Sequence, residues 1–358
     1  MTEPGRRRAQ RPGSVTIADV AGHAGVAVST VSYVLSGKRM ISETTRQRVL
    51  ASIRVLGYHP HAGARSLASK RSNVIAMVLP LRSGMHLPVL MRFATAVAIT
   101  ARQHDHDVLL VTADEGPAGL RRLAAGSMVD GLILMDVEWE DPRVPLLREL
   151  DLSSVLIGIP SDSTGVTCVD LDFAAAGAAC AEHLAELGHT SVALLGAPAV
   201  VYGRDTGFAR RTRAGFLERA AARGADAVAV ACEDDAGSAA RAVGELLAAH
   251  PETTGIAVHN EAAVGHVLSA LSALGRRVGE DTAVVAICPE DVAERTAPAL
   301  SSVLIPAEDL GERAVSLLMS KLEGAAVPRE TLLAPRLTVR ESSARPRAGS
   351  PAVGPASP

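Results

Sequence analysis

The stretch TIADVAGHAGVAVSTVSYVLSG, residues 16–37, predicts two short helices joined by a tight turn. Thr16 and Asp19 have the spacing of a capping box, which satisfies free N–H groups at the start of a helix. An apolar stripe at positions 17, 20, 21 and 24 follows with helical spacing. Gly25 can adopt the positive φ that the turn requires. Two short helices joined in this way are typical of a helix-turn-helix.

The second helix of a helix-turn-helix enters the major groove of DNA, and here it covers about residues 28–35. Helical spacing points Val31, Val34 and Leu35 inward. Hydroxyl groups can bond base edges or phosphates and a valine can contact a thymine methyl, so the outward side chains suit DNA. These candidate DNA-binding residues are Val28, Ser29, Thr30, Ser32 and Tyr33. On spacing alone, the pair is equally compatible with any helical hairpin.

A third helix is predicted to begin after Ser42, a favourable N-cap, and to end at Gly57. Its inner face would carry Val49, Ile53 and Leu56, which completes a three-helix head.

The segment YHPHAGARSLASKRS, residues 58–72, follows the head and predicts a short hinge helix over about residues 61–69. Pro60 is favourable at or just before a helix start. Leu67 is the only large apolar residue of this helix. It is either an ordinary linker contact or an apolar wedge that inserts into the minor groove.

Charge is distributed unevenly over the 358 residues. Residues 1–72 hold 12 Lys and Arg against 3 Asp and Glu, whereas the remaining residues hold 24 against 36. A basic head on an acidic body suggests that the head meets a polyanion. A solubilising tail would explain the arginines at positions 6–11 but not the basic positions from 38 to 71.

From residue 73 onward, short apolar runs alternate with helical stretches. The runs are VIAMVLP, DVLLVT, VDGLILM and SSVLIGI, then SVALLGA, DAVAVA, GIAVHN and TAVVAIC. Such alternation predicts parallel sheets covered by helices on both faces. Two successive sets of four to five strands predict an α/β body of two doubly wound lobes, with a ligand cleft beyond the carboxyl ends of the strands.

Several function classes find no support in the sequence. No run of 18 uncharged apolar residues predicts a membrane span, and no export signal is recognisable, so we expect a cytoplasmic protein. Cys168, Cys180, Cys232 and Cys288 lack the spacing of a zinc or disulfide framework. No hydrolase elbow, Walker loop, dinucleotide fingerprint or HExxH motif occurs. We therefore expect no catalytic residue, metal or cofactor, although the body alone would also suit an enzyme or a transport-binding protein.

Taken together, these motifs resemble the lactose-repressor (LacI/GalR) family over residues 15 to about 341. The stretches that carry the resemblance are TIADVAGHAGVAVSTVSYVLSG, RQRVLASIRVLGYHPHAGARSLASKRSNVIAMVLP, VDGLIL, VDLDFAAAG, AEHLAELGH, AVHNEAAVG and LGERAVSLL. The resemblance implies a repressor that binds palindromic double-stranded operator DNA as a homodimer. It also implies a body like type I periplasmic binding proteins, with a small effector, such as a sugar or sugar derivative, in its cleft.

In the head, the resemblance places Val28, Ser29 and Tyr33 where the family reads bases. Tyr33 stands where Arg is most frequent, so we expect a different base at that point of the operator. Ala27 replaces the usual capping serine. In the hinge, Leu67 matches the leucine that wedges between central base pairs, with Arg65 and Ser66 beside it. Thr16, Arg65 and Ser66 complete the DNA-binding residues that the resemblance implies.

In the body, the match to the family's effector residues is incomplete. Asp172 and Asn260 match cleft residues of the family, and either could instead be a helix cap. Phe173 replaces a frequent Asn, and the usual sugar-binding Arg falls on Thr212, next to Arg211. An acid of the family falls on Cys288. These departures make the predicted site more apolar and make an ordinary hexose a poor fit.

The predicted boundaries are as follows: a disordered basic tail at 1–14, the head at 15–60, the hinge helix at 61–72, the body at 73–341 and a disordered tail at 342–358. Within the body, the first lobe is expected at about 73–169 and 303–324, and the second at about 170–302 and 325–341. The final tail has no apolar heptads, which predicts a dimer rather than a coiled-coil tetramer.

Overall fold

The computed structural model describes residues 15–36, 39–58, 71–126, 128–150 and 152–343. The chain divides into two compact units, residues 1–73 and 74–358.

The described residues of the first unit form three helices, α1 (Ile17–Ala24), α2 (Val28–Ser36) and α3 (Glu43–Leu56). The predicted capping box is present, since Thr16 accepts from the Asp19 amide and the Asp19 carboxylate accepts from the Thr16 amide. Gly25 has φ 61° and ends α1 in the left-handed conformation. Gly57 has φ 59° and ends α3 in the same way.

The core of the head consists of Val20, Ala21, Ala24, Val31, Val49 and Tyr58, all buried. Val34, Ile53 and Leu56 pack against it, as their spacing predicts. The prediction was wrong for Leu35, which is 39% exposed. Leu35 lies in the last turn of α2.

The second unit begins with a six-stranded sheet in the order β11-β5-β4-β3-β1-β2, all of whose pairs are parallel. Its strands are β1 (Val74–Val78), β2 (Asp107–Val111), β3 (Gly131–Leu134), β4 (Ser153–Ile157), β5 (Cys168–Leu171) and β11 (Glu330–Leu333). The associated helices are α4 (Leu87–Gln103), α5 (Gly116–Ala125), α6 (Arg143–Glu149) and α13 (Ala307–Leu322).

A second six-stranded sheet has the order β12-β10-β9-β8-β6-β7. Its strands are β6 (Ser191–Gly196), β7 (Asp226–Ala231), β8 (Gly255–Val258), β9 (Ala283–Cys288), β10 (Ser301–Leu304) and β12 (Leu337–Thr338). Only β12 among these strands is antiparallel to its neighbour. The associated helices are α7 (Phe173–Glu186), α8 (Ala199–Gly203), α9 (Gly207–Ala222), α10 (Ala236–Ala249), α11 (Val264–Ala273) and α12 (Glu290–Glu294).

The two-lobed α/β body was predicted correctly, but each sheet has six strands rather than four to five. The additional strands β5, β10, β11 and β12 have four residues or fewer, too short to show a reliable period. They also move the expected lobe boundaries. Residues 170–171 and 330–333 belong to the first sheet, and residues 303–304 belong to the second.

The ends of the predicted tail and hinge also need correction. Ser342 is buried, and its hydroxyl accepts from the Ser301 amide and donates to the Val284 carbonyl, so the body extends at least to Ser343. Residues 71 and 72, assigned to the hinge helix, are not helical. The remainder of the hinge helix, the first tail and residues 344–358 lie outside the described residues.

Among the described helices, no single one is long and apolar enough to cross a membrane. Only α1 and α2 taken as a pair meet that criterion, and they are bent by 104° at the break between them.

Candidate nucleic-acid interface and interlobe cleft

The predicted DNA-binding residues of α2 fall into two groups according to their exposure to solvent. Val28, Ser29 and Tyr33 are exposed, with Val28 at 45% and Tyr33 at 36%. Thr30 and Ser32 are half-buried beside them. Because Val31 anchors the opposite face in the core, α2 presents one exposed row of mixed apolar and hydroxyl groups. Such a row can make both hydrogen bonds and methyl contacts to base edges.

Two further features of the head concern the ends of α2 and α1. The guanidinium of Arg39 lies 5.8 Å from the centre of the Tyr33 ring, within cation–π range. Ala27 contributes only its carbonyl, which accepts from the Thr30 amide at 2.9 Å. Thr16 is engaged in its cap, where its hydroxyl donates to Asp19 at 2.7 Å. The hydrogen bonds that the Thr16 amide and hydroxyl donate to Asp19 hold the pKa of that carboxyl below the ordinary value.

The hinge residues Arg65, Ser66 and Leu67 lie outside the described residues. Their assignment to DNA therefore stays a prediction.

The body contains a cavity between its two lobes, with about 960 Å³ of atom-free space that is partly open to solvent. Several lining residues come directly after the carboxyl ends of strands, such as Met135 after β3, Gly158 after β4 and His259 after β8. This is where doubly wound sheets bind ligands. The lining residues are Gly84, Met85, His86, Val89, Leu90, Phe93, Met135, Asp136, Val137, Ile157, Gly158, Asp170, Phe173, Ala197, Pro198, Val201, Arg204, Phe208, His259, Asn260, Glu261 and Ile305.

Two of the predicted effector residues line this cavity, Phe173 and Asn260. The Asn260 amide is already engaged by the protein. Its Nδ2 donates to the Cys232 carbonyl at 2.7 Å, and its Oδ1 accepts from the Ala262 amide at 3.2 Å. Asn260 therefore faces the cavity and ties the chain after β8, but it does not cap the following helix, whose N-cap is Ala263.

Three other predicted effector residues lie elsewhere. Asp172 caps α7, accepting from the Ala175 amide at 3.0 Å. Thr212 is fully buried where α9 packs closely on α7, and its hydroxyl donates to the Phe208 carbonyl. Cys288 is buried in the core of the second lobe, and burial raises the pKa of its thiol to about 12. These three residues therefore do not line the cavity, contrary to the prediction.

Arg211 does not line the cavity itself, but it pairs with a residue that does, Asp170, which the sequence did not predict. Its guanidinium pairs with the carboxylate of Asp170, which lines the cavity, and lies 5.7 Å from the centre of the Phe173 ring. Burial raises the pKa of Asp170 to about 6, although the Arg211 charge opposes this shift. Asp170 is the one acid in the buried strand β5. Because buried carboxylates are usually paired with a cation, this position could have predicted the ion pair from the sequence.

An aromatic wall, formed by Phe173, Phe208 and His259, closes one side of the cavity. The ring centres lie 5.6 Å apart for Phe173–Phe208, 5.8 Å for Phe173–His259 and 5.6 Å for Phe208–His259. Burial lowers the pKa of His259 to about 4, so its imidazole is neutral near pH 7. Phe208 and His259 were missed because they are separated by 51 residues in the sequence.

A group of charged residues that includes the cavity-lining Asp136 was also missed. Asp136 lines the cavity with φ 52° and accepts from Arg82 at 2.8 Å. Arg82 also pairs with Asp114 and Glu138, and these carboxylates raise the pKa of its guanidinium. Arg204, from the second lobe, lies 3.9 Å from Asp136. These groups meet only through the fold of both lobes.

Several contacts cross directly between the lobes. Arg204 Nη1 donates to the Ser83 carbonyl at 3.2 Å, and His86 Nδ1 lies 3.3 Å from the Glu261 carboxylate. The Gly207 amide donates to the Val137 carbonyl at 3.0 Å. A ligand in the cavity would touch both sides of this junction, so its binding can change the energy of lobe closure.

Two protein-family models match the chain. The model described as "Bacterial regulatory proteins, lacI family" matches residues 16–61, and the model described as "Periplasmic binding protein-like domain" matches residues 181–343. The matches confirm the predicted fold class, a helix-turn-helix head with a periplasmic-binding-protein-like body.

Similar proteins extend over nearly the whole chain. The HTH-type transcriptional regulator CelR of Thermobifida fusca is 30% identical over 349 residues, which cover 94% of this chain and 99% of the relative. A solved structure of a transcriptional regulator CelR–cellobiose complex has a TM-score of 0.66 and 28% identity, covering 92% of this chain and 100% of that one. The lac repressor dimer bound to operator and the anti-inducer ONPF shares the fold, with a TM-score of 0.80, 23% identity and coverage of 93% and 100%.

Proposed function

The chain belongs to the LacI family of bacterial DNA-binding transcriptional regulators, and from this premise we propose that it is a repressor. As a homodimer, it binds a palindromic operator through α2 and the hinge. A small molecule in the interlobe cleft changes its affinity for the operator. Its site of action is the bacterial cytoplasm, where the DNA is, and its cleft binds the effector without chemical reaction.

The observation that carries the proposal is the exposed row of Val28, Ser29 and Tyr33 on a helix whose opposite face is locked into the head. Side chains at the first turns of such a helix reach base edges in the major groove. The excess of 12 basic over 3 acidic residues in positions 1–72 adds the attraction to phosphates that raises affinity for any DNA.

Selection of bound duplexes from a random pool by the full-length chain tests this proposal. We expect an inverted repeat, because a two-fold dimer binds two equivalent half-sites. A Ser29→Ala chain should enrich a motif altered at one base pair in each half-site. Ser269→Ala, which removes an exposed hydroxyl from α11 of the body, should enrich the unaltered motif. A pool without any enriched motif contradicts the proposal.

The hinge completes the proposed DNA contact. Leu67 inserts between the two central base pairs, which opens a flexible pyrimidine–purine step. Arg65 and Ser66 lie next to this leucine in sequence and contact phosphates or the minor groove.

The proposed homodimer is supported by an apolar stripe on the outer face of α4. Leu87, Met91 and Ile99 are exposed at 50%, 43% and 58%. The neighbouring edge strand β2 adds Leu110, which is 41% exposed. Exposed apolar side chains that align along one helix favour burial against a second copy.

The proposed effector site is supported by the interlobe cavity, which has residues of both lobes in its wall. The relative CelR has been solved in complex with cellobiose. For this chain, we propose that effector binding shifts the two lobes and thereby the operator affinity. Operator release measured with candidate small molecules decides between an inducer, which weakens binding, and a co-repressor, which strengthens it.

A further inference from the structure

We propose that the effector of this chain is a largely apolar, ring-containing molecule with one polar end, rather than a fully hydroxylated sugar. The inference rests on the proposed function of the cleft as an effector site. It concerns the chemical class of ligand that the side chains in this cavity can accommodate.

The apolar side of the cavity is continuous. The aromatic wall of Phe173, Phe208 and His259 provides three rings whose centres lie within 5.8 Å of one another. Phe93, Met135, Val137, Ile157, Val201 and Ile305 extend this apolar surface around the cavity. A planar or alicyclic ring can pack against such a surface, because stacked and edge-on aromatic contacts add to the gain from apolar burial.

Most polar groups of the wall already have partners inside the protein. Asn260 uses both amide atoms, on the Cys232 carbonyl and the Ala262 amide. Asp170 is paired with Arg211 and accepts from the Leu171 amide. Asp136 is paired with Arg82 at 2.8 Å. Bonds within the protein therefore already use part of the hydrogen-bonding capacity of these three residues.

Lining residues with polar atoms that have no hydrogen-bond partner among the described residues are Arg204 and His86, near residues 83–86, and His259, through Nδ1, in the aromatic wall. Arg204 binds the Ser83 carbonyl through Nη1, whereas its Nε and Nη2 have no hydrogen-bond partner among the described residues. His86 and Glu261 lie 3.3 Å apart at the same loop. Arg204 offers donors and Glu261 offers acceptors, which together suit one hydroxyl or amide group.

A free hexose or disaccharide carries hydroxyl groups all around its rings. Those next to Arg204, His86, Glu261 and His259 Nδ1 would find partners, and those against the phenyl rings of the wall would lose their bonds to water. A buried polar group that lacks a partner reduces affinity strongly. A ring with a single polar substituent avoids this loss, which is why the cavity selects for it.

Fluorescence titration of the full-length chain with N-phenyl-1-naphthylamine, a neutral apolar dye with one N–H group, tests the inference. We expect one dye per chain, and we expect cellobiose in large excess not to displace it. Phe208→Ser, in a partly exposed residue of the wall, should weaken dye binding about tenfold. Leu274→Ser is the matched control, since Leu274 is 48% exposed outside the cavity, and should leave binding within about twofold.

The inference is overturned if the dye does not bind, if Phe208→Ser binds it as well as the unaltered chain does, or if cellobiose displaces it. Operator binding measured on the same samples separates this failure from failure of the proposed function. A chain that selects its operator and releases it with cellobiose retains the proposed function and refutes the inference. A chain with no operator preference refutes the proposed function, and the inference falls with it.

Discussion

The helix-turn-helix head and the interlobe cleft assemble their candidate binding groups in opposite ways. In the head, the exposed row lies on the single nine-residue helix α2, and its anchor Val31 is in the same helix. In the cleft, the lining residues extend from position 84 to position 305 and come from both lobes. Binding by the head therefore depends on local geometry, whereas binding by the cleft depends on the packing of the whole body.

Substitutions in the two regions should therefore differ in how far their effects extend. A change on the exposed row of α2 alters a contact to DNA and leaves the core of the head intact. A change at His86, Arg204 or Glu261 also alters contacts between the lobes, because these residues both line the cavity and join the lobes. Five experiments test this comparison, beginning with the largest expected effect.

The loop after β3 depends on one buried ion pair. Arg143 and Asp141 have side chains exposed by only 4% and 0%, and Arg143 Nη2 donates to the Asp136 carbonyl at 2.7 Å. Arg143→Met leaves the Asp141 charge buried without its partner, so we expect the free energy of unfolding to fall by about 3–5 kcal/mol. Urea denaturation measures it. Arg122→Met breaks an exposed pair with Glu115 and should cost less than about 1 kcal/mol. Equal losses would contradict this account of the loop.

The cleft should also respond to acid. Burial lowers the pKa of His259 from 6.5 to about 4, so the unfolded chain binds a proton that the folded chain rejects between these values. Stability must therefore decrease as the pH falls from 6.5 to 4, by at most about 3 kcal/mol from this group. His259→Phe should remove that contribution. The difference in unfolding free energy between the two chains, followed against pH, should change over this window; a constant difference would exclude the mechanism.

The apolar stripe on α4 joins the two regions functionally, because a dimer presents two heads to one operator. Ile99→Asp should yield monomers in light scattering and weaken operator binding about a hundredfold. Val339→Asp is the control, with 60% exposure against 58% for Ile99, and should keep the dimer. A dimeric Ile99→Asp chain would place the interface elsewhere.

Leu67 tests the contribution of the hinge. Leu67→Ala should weaken operator binding by roughly tenfold or more, since the central base step is no longer held open. Binding to unrelated DNA should change little, because that binding comes from phosphate contacts. Competition titrations with both duplexes measure the ratio, and an equal loss for both would discredit the wedge.

Tyr33 provides the most local change. Tyr33→Arg adds a side chain that can make two hydrogen bonds to guanine, so the selected motif should shift toward guanine at one base pair of each half-site. We expect about a tenfold change in preference at that position. Stability should stay the same, because Tyr33 is exposed. An unchanged motif would mean that Tyr33 does not face the bases.

Local signals account for what the sequence could predict. The capping box of Thr16 and the glycine ends of α1 and α3 were readable because each depends on neighbours within a few residues. Helical and strand periods likewise predicted the two-lobed body. The exception in the head was Leu35, which helical spacing points inward although 39% of its surface is exposed.

The cleft could be predicted only in part, because its residues meet through the fold. Phe173 and Asn260 were identified from the resemblance, whereas Thr212 and Cys288 are buried in packing that no motif reveals. Asp170 and Arg204 were missed because each is held in place by a partner that is distant in the sequence. Asp170 pairs with Arg211, and Arg204 donates to the Ser83 carbonyl.

The most direct test of the central claim is the ratio of two dissociation constants of the full-length chain at physiological salt. One is for the inverted repeat obtained by selection, and the other is for a duplex of the same composition with both half-sites scrambled. Reading of base edges by α2 predicts a ratio on the order of a thousand or more. Equal dissociation constants for the two duplexes would contradict it.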